Sequence, residues 1–320
     1  MRTALLLLSF GSFVALAAAC GSSSPNSGFP DPGGSSGSFT GSSGSSGALG
    51  SSGSSGTGTD PNQQGCSDAA KLVYVVSEEN DLYSFQPNKL TFTKIGPLNC
   101  PSSSSPNSMA VDRSGTAWVN YSDGSLFKVS TADASCQATS FQPDQHNFVK
   151  FGMAFATNSA TTTAETLFVC GIVDGASGPG DGLGLATIDL STFLLTPVGD
   201  FSGDLMGHGA ELTGTGDGRL FGFFTTQPYA KVAQIAESSA ATTGEKTLNG
   251  VNTGQAWAFS FWGGDFWFYT AQGPSAPSTV TRLKTATDNS LGTAMDDVGG
   301  FRIVGAGVST CAPTTPPAVN

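Results

Sequence analysis

Charge is scarce in this chain. Charged residues make up 12% of 320 residues, and only 13 are Lys or Arg. The basic residues are scattered and the formal net charge is -11, which excludes a nucleic-acid-binding surface. Histidine is rarer still: His146 and His208 are the two side chains able to act as bases at neutral pH. No Cys-x-x-Cys or His-x-x-x-His spacing occurs, so the usual frames for structural zinc are missing. The serine run Ser102–Ser105 has no Gly-x-Ser-x-Gly elbow around it, which removes a hydrolase nucleophile there. Helical periodicity is thin, and Lys231–Ala241 is the best helical candidate despite Val232, Ile235 and its paired serines. What fills the chain is 43 Gly, 22 Phe and much Thr, Ser and Val. That is the composition of many short strands joined by tight turns.

The first 64 residues read as an address and a tether. Arg2 precedes the apolar run Leu5–Leu8 and then Phe13-Val-Ala-Leu16, and the run ends in Ala17-Ala-Ala-Cys20. This is a charged n-region, an apolar h-region and a small-residue cleavage site, so residues 1–19 are expected to be a lipoprotein signal peptide. The cysteine after the small residues resembles a bacterial lipobox, with Leu16 one place before the position where the pattern prefers Leu. The resemblance implies diacylglyceryl transfer to Cys20 and cleavage before it. The alternative is an ordinary secretory signal cleaved nearby. A membrane-spanning helix is disfavoured because the apolar stretch is short and runs into Gly and Ser. From Gly21 to about Gln64 the chain repeats Ser-Ser-Gly, with charge only at Asp31 and Asp60. Such a segment cannot offset its ordering entropy, so residues 20–64 are expected to be a disordered tether with an r.m.s. reach of roughly 35–40 Å. Gly21 is not the Asp that retains lipoproteins at the inner membrane, so the expected location is the cell envelope, at the outer membrane.

A strand pattern recurs through the remainder. Its first strand reads Ser108-Met-Ala-Val-Asp112, then Gly152-Met-Ala-Phe-Ala156, Gly209-Ala-Glu-Leu-Thr213, Ala256-Trp-Ala-Phe-Ser260 and Gly305-Ala-Gly-Val-Ser309. The third positions are Ala110, Ala154, Glu211, Ala258 and Gly307, and small residues suit strands crowded around an axis. Second strands follow at Thr116–Tyr121, Thr166–Ile172, Arg219–Thr225 and Asp265–Thr270, across turns containing Arg113-Ser-Gly115, Asp217-Gly218 and Gly263-Gly264. The stretch between the third and fourth copies reads as a loop-rich insertion. The fifth copy breaks off, while Lys71–Val76 is a strand with no first strand before it. The simplest solution pairs the two. The fold expected is an all-β, five-bladed β-propeller over residues 65–313, closed by its N- and C-terminal strands, with a disordered tail at 314–320. The competing architectures are a β-sandwich and a six-bladed propeller with one degenerate blade.

The motifs Met-Ala-Val-Asp-x-x-Gly-x-x-Trp-Val and Gly-Ser-Leu-Phe-Lys-Val within Ser108–Val129 resemble NHL-type and related propeller repeats, over about residues 70–311. The whole arrangement resembles uncharacterised bacterial lipoproteins of Gram-negative soil species, a family that implies no activity. Six cysteines are present. With Cys20 lipidated, five fit two disulfides and one thiol. Cys66–Cys311 is the expected staple at the closure, Cys100–Cys136 the second pair, and Cys170 a buried thiol in an apolar strand. The acidic loop Asp174–Asp181 lacks regular Ca²⁺-ligand spacing and reads as a plain insertion. No metal and no cofactor are expected.

Asn107, His146, His208, Gln255 and Arg302 stand just before first strands, so in a propeller they gather on one face around the central opening. With Glu211 they form a candidate ligand-binding face. An ordinary set of solvated loop residues is the plainer reading. Glu211 is the oddity, since an unpaired carboxylate in an inner strand is costly. It either faces the channel or pairs with Arg219 or Arg302. The aromatics Trp257, Phe259, Phe261, Trp262, Phe266, Trp267 and Phe268 alternate as inter-blade packing, with Trp262 the one expected at the surface. Asn120-Tyr-Ser122 matches a glycosylation acceptor but sits in a strand. No catalytic residue is assigned. The first functional reading is a monomeric, membrane-anchored, non-enzymatic binding or scaffolding module for an envelope protein or polysaccharide. The alternatives are a lactonase-like or glycan-active propeller hydrolase and a structural spacer.

Overall fold

The computed structural model describes residues 65–173 and 182–317. The segments expected to be a signal peptide and a tether, Cys20 among them, the loop Asp174–Asp181 and residues 318–320 lie outside them.

A short 3-10 turn at Ala69–Lys71 leads into β1 (Val73–Ser77), β2 (Asp81–Gln86) and β3 (Thr91–Pro97). The next sheet holds β4 (Pro106–Val111), β5 (Thr116–Tyr121), β6 (Leu126–Ser130) and β7 (Cys136–Ala138). The third holds β8 (Lys150–Thr157), β9 (Glu165–Ile172), β10 (Gly182–Asp189) and β11 (Leu194–Gly199). The fourth holds β12 (Ala210–Gly214), β13 (Leu220–Phe224), β14 (Lys231–Ile235) and β15 (Thr242–Thr247). The fifth holds β16 (Ala256–Trp262), β17 (Asp265–Ala271), β18 (Thr279–Leu283) and β19 (Leu291–Met295). Finally β20 (Ile303–Val308) returns to pair antiparallel with β1, Val73 opposite Val308 and Val76 opposite Gly305. The first sheet is therefore ordered β20-β1-β2-β3, and the fold is a five-bladed β-propeller closed by its two ends. Each blade is an antiparallel meander, because short apolar strands joined by Gly-containing turns have no other way to bury both faces.

The inner strands β4, β8, β12, β16 and β20 meet in that order around the axis and close on themselves. Their approach leaves no room for side chains at some positions: a Cβ at Gly152 would run into the Ala210 carbonyl, and one at Gly214 into that of Phe155. Five apolar clusters fill the five blade-to-blade interfaces. Phenylalanine dominates the one between the fourth and fifth blades, where Phe259 stacks on Phe268 at 5.2 Å and Phe266 meets Phe221 edge-on at 4.9 Å. Both expected disulfides form. Cys66–Cys311 ties the two ends of the propeller, and Cys100–Cys136 joins the outer edges of the first two blades. Cys170 is a buried thiol.

Three sequence expectations are corrected. Trp262 is 8% exposed, not a surface aromatic, because its indole N–H donates to the Lys71 carbonyl at 2.7 Å across the first-to-fifth blade junction. The helical candidate at Lys231–Ala241 is β14 and the turn after it. Val232 and Ile235 pair with Phe223 and Leu220, so cross-strand partners override helical propensity. The stretch between the third and fourth copies is a regular half-blade, β14 and β15, and the extra chain length belongs to the preceding blade.

The β4–β5 turn is built on Asp112. Its carboxylate accepts the Ser114 and Thr116 backbone N–H groups at 2.9 and 3.0 Å and the Trp118 indole N–H at 3.0 Å. Asp112→Ala leaves those donors unpaired and is expected to cost about 2 kcal/mol in urea unfolding. A change of a few tenths would mean that water replaces the carboxylate.

Candidate functional site: a cup at the propeller axis

All five inner strands run through the ring in one direction. Their first residues therefore collect on one face, here the leading face, and their last residues on the trailing face. At the leading face the axis opens into a cavity of about 260 Å³. Asn107, Lys150, Glu211, Gln255, Trp257 and Val304 line it, with Glu78, Ser122 and Val173 towards its rim.

Glu211 forms the floor. It is 2% exposed, and its carboxyl crosses the axis from β12 to β4, where the Ser108 hydroxyl donates to Oε2 at 2.8 Å. Those strands belong to blades that do not touch side by side, and Gly152 of the strand between them leaves the space. Burial holds the Glu211 carboxyl well above the usual carboxylate range, and the Ser108 hydrogen bond offsets that only in part. Burial thus disfavours the charged form of this carboxyl. Neither Arg219 nor Arg302 is its partner, contrary to one expectation. Arg219 pairs with Asp217 at 2.8 Å, and Arg302 with Glu78 at 3.1 Å.

A second polar tie crosses the trailing end. Glu165 accepts from the Arg113 backbone N–H at 2.7 Å and the Thr310 hydroxyl at 2.8 Å, linking the third, second and first blades. Burial raises its pKa, opposed by those two hydrogen bonds. Ser309 donates to the Ala70 carbonyl at 2.7 Å, and the Pro313 carbonyl accepts from Gly263 N at 2.7 Å. These ties draw the blades together at the trailing end, and the buried Glu211 floors the cup that opens on the leading face.

The residues expected to share a face divide. Asn107, Glu211 and Gln255 line the cup. Asn107 Nδ2 donates to Asn120 Oδ1 and the Phe151 carbonyl, which leaves its own oxygen as an acceptor. Gln255 is exposed at the mouth. Arg302 lies behind the rim, with its guanidinium on the Pro274 carbonyl at 2.5 Å and on Glu78. His208 is buried, Nδ1 3.1 Å from the Thr225 carbonyl, and His146 is exposed in a loop in a left-handed conformation (φ 54°). Neither histidine lines the cup. Lys150 and Trp257 escaped the sequence reading. Trp257 was assigned to packing, and Lys150 opens β8 two residues before the repeat motif. Aligning first strands a turn further upstream would have found it. Asn120 is fully buried, Nδ2 donating to the Val149 carbonyl at 3.2 Å, which closes the glycosylation reading.

Among the described residues no group of three His, Cys, Asp or Glu side chains is placed to hold a metal ion, and no helix is long and apolar enough to cross a membrane.

No family model matches the chain, and no curated protein matches it. Among solved structures it is similar to catalytically inactive virginiamycin B lyase from Staphylococcus aureus with quinupristin, at 16% identity, covering 73% of this chain and 72% of that one, with a TM-score of 0.37. A chain of the nidogen/laminin complex is 8% identical, covering 74% and 97%, with a TM-score of 0.43. The Dos1 propeller is 11% identical, covering 76% and 72%, with a TM-score of 0.40. At such identities and scores these likenesses carry no argument about function.

Proposed function

We propose that this chain is a lipid-anchored protein of the cell envelope, delivered to the outer membrane, whose propeller is a non-enzymatic binding module with the axial cup as its site. The observation that supports this reading is where the chain joins the propeller. Cys66 is bonded to Cys311 just beyond the end of β20, on the trailing face. A leash running from a lipidated Cys20 to that point holds the disc by its closed end and turns the cup away from the membrane. A tether attached at the mouth would obstruct the site instead. Among the described residues the cup offers few parts of a hydrolase. Glu211 has a raised pKa, as an acid catalyst would, but its one side-chain partner is Ser108 and both histidines lie elsewhere.

Cys20→Ser tests the anchor. The native chain, expressed in a Gram-negative host fed a labelled fatty acid, is expected to carry label and to sediment with membranes. The variant is expected to lose label and move to the soluble fraction. An unlabelled native chain, or an unchanged distribution of the variant, would overturn the reading.

A further inference from the structure

We propose that the cup holds one neutral sugar unit, hydrogen-bonded by Asn107, Gln255 and Glu211 and packed on the Trp257 side of the wall. This rests on the reading of the cup as a binding site and adds the chemical class of its ligand.

Size sets the first bound. A cavity of about 260 Å³ lies just under the roughly 300–1,000 Å³ typical of drug-sized ligands, so it suits one ring rather than a chain. Chemistry sets the second. Ser122 and Gln255 present hydroxyl and amide groups that donate and accept without charge, and Asn107 presents its amide oxygen as an acceptor. Glu211 at the floor is buried among the inner strands and accepts from the Ser108 hydroxyl. The Glu78 carboxylate at the rim is balanced by Arg302 at 3.1 Å.

Other ligand classes fit less well. A purely apolar guest would strip water from Asn107, Gln255 and Glu211 with nothing in return. A cation would meet Lys150 in the wall. An anion approaches a chain of formal net charge -11 and, among the described lining residues, meets Lys150 but no arginine to fork onto its oxygens, with the Glu78 carboxylate also in the lining. A pyranose needs what is present: several uncharged polar groups together with apolar surface. Trp257, Ile172, Pro106 and Val304 provide that surface.

The test uses the full-length chain in a polyoxyethylene detergent, which carries no sugar headgroup. Free glucose, galactose, mannose and N-acetylglucosamine are titrated by calorimetry at millimolar concentrations, beside glucuronate, glucosamine and inorganic phosphate. At least one neutral sugar is expected to bind, with affinity lowered about tenfold by Gln255→Ala and by Trp257→Ala. Gln255 is exposed at the mouth, so its variant keeps the fold. Preferential binding of glucuronate, glucosamine or phosphate with the same sensitivity to Gln255→Ala would overturn the sugar assignment and leave the cup as a binding site. Sugar binding indifferent to both alanine variants would overturn the cup itself. No heat from any neutral sugar would overturn the proposal.

Discussion

Replacing Cys66 and Cys311 together with serine is expected to destabilise the propeller by on the order of 4–5 kcal/mol and to lower its Tm by roughly 10 °C. The disulfide closes a loop of sequence separation 245, against 36 for Cys100–Cys136. In the chain-entropy description the difference between the two loops is about 1.7 kcal/mol, so the serine pair at Cys100 and Cys136 should be the milder lesion. Structure points the same way. Inner strand β20 is held in its blade by backbone pairing with β1 alone, since the first blade has no covalent hairpin there. Other inner strands are joined to their second strands by turns. Without the staple, fraying of β20 uncovers Val73, Val75, Ala306 and Val308 and loosens the Trp262–Lys71 contact at the same junction. Urea unfolding of the two double variants under non-reducing conditions compares them directly. A smaller loss for the Cys66/Cys311 pair than for the Cys100/Cys136 pair would show that strand pairing alone keeps the ring shut.

The parts of this fold that are local in the chain are the parts that could be read from it. Strand positions followed from alternation and from Gly-containing turns. Thr116–Tyr121 matches β5 residue for residue, and the five first strands fall within two residues of those observed. The closure followed from a count: one blade short of a strand at each end of the domain. Side-chain direction across the ring was not legible. Ser108 and Glu211 are separated by 103 residues, and only the diameter of a five-membered ring brings β4 and β12 within hydrogen-bonding reach. Trp262 was misplaced for the same reason. A turn residue is ordinarily wet, but this turn lies against the blade junction, where the Lys71 carbonyl needs a donor. The cup was half legible. Residues placed before the first strands included Asn107 and Gln255. The same rule brought in His146 and Arg302, which the loops carry away from the axis, and passed over Lys150.

Glu211 carries the largest expected dependence on pH. Its pKa in the folded protein is raised well above 4.5, and in the unfolded chain it returns towards that value. Below that value both states are protonated and the group makes no distinction between them. Above it the unfolded chain releases a proton that the folded one retains, so stability falls by about 1.4 kcal/mol per pH unit for as long as the folded carboxyl stays neutral. Glu237, raised to about 7 by burial, and Glu165 act in the same direction, so the native protein alone does not isolate the effect. Glu211→Gln does. It keeps an acceptor for Ser108 and removes one titration. The variant is expected to match the native protein near about pH 4.5 and to exceed it increasingly as the pH rises. Glu211→Ala is expected to lose stability at low pH, by about 1–3 kcal/mol, because the Ser108 hydroxyl is left unpaired beside a void. A difference between the glutamine variant and the native protein that stays flat from about pH 5 to about pH 8 would mean that Glu211 is ionised in the folded state. The floor of the cup would then be a buried carboxylate, an acceptor only.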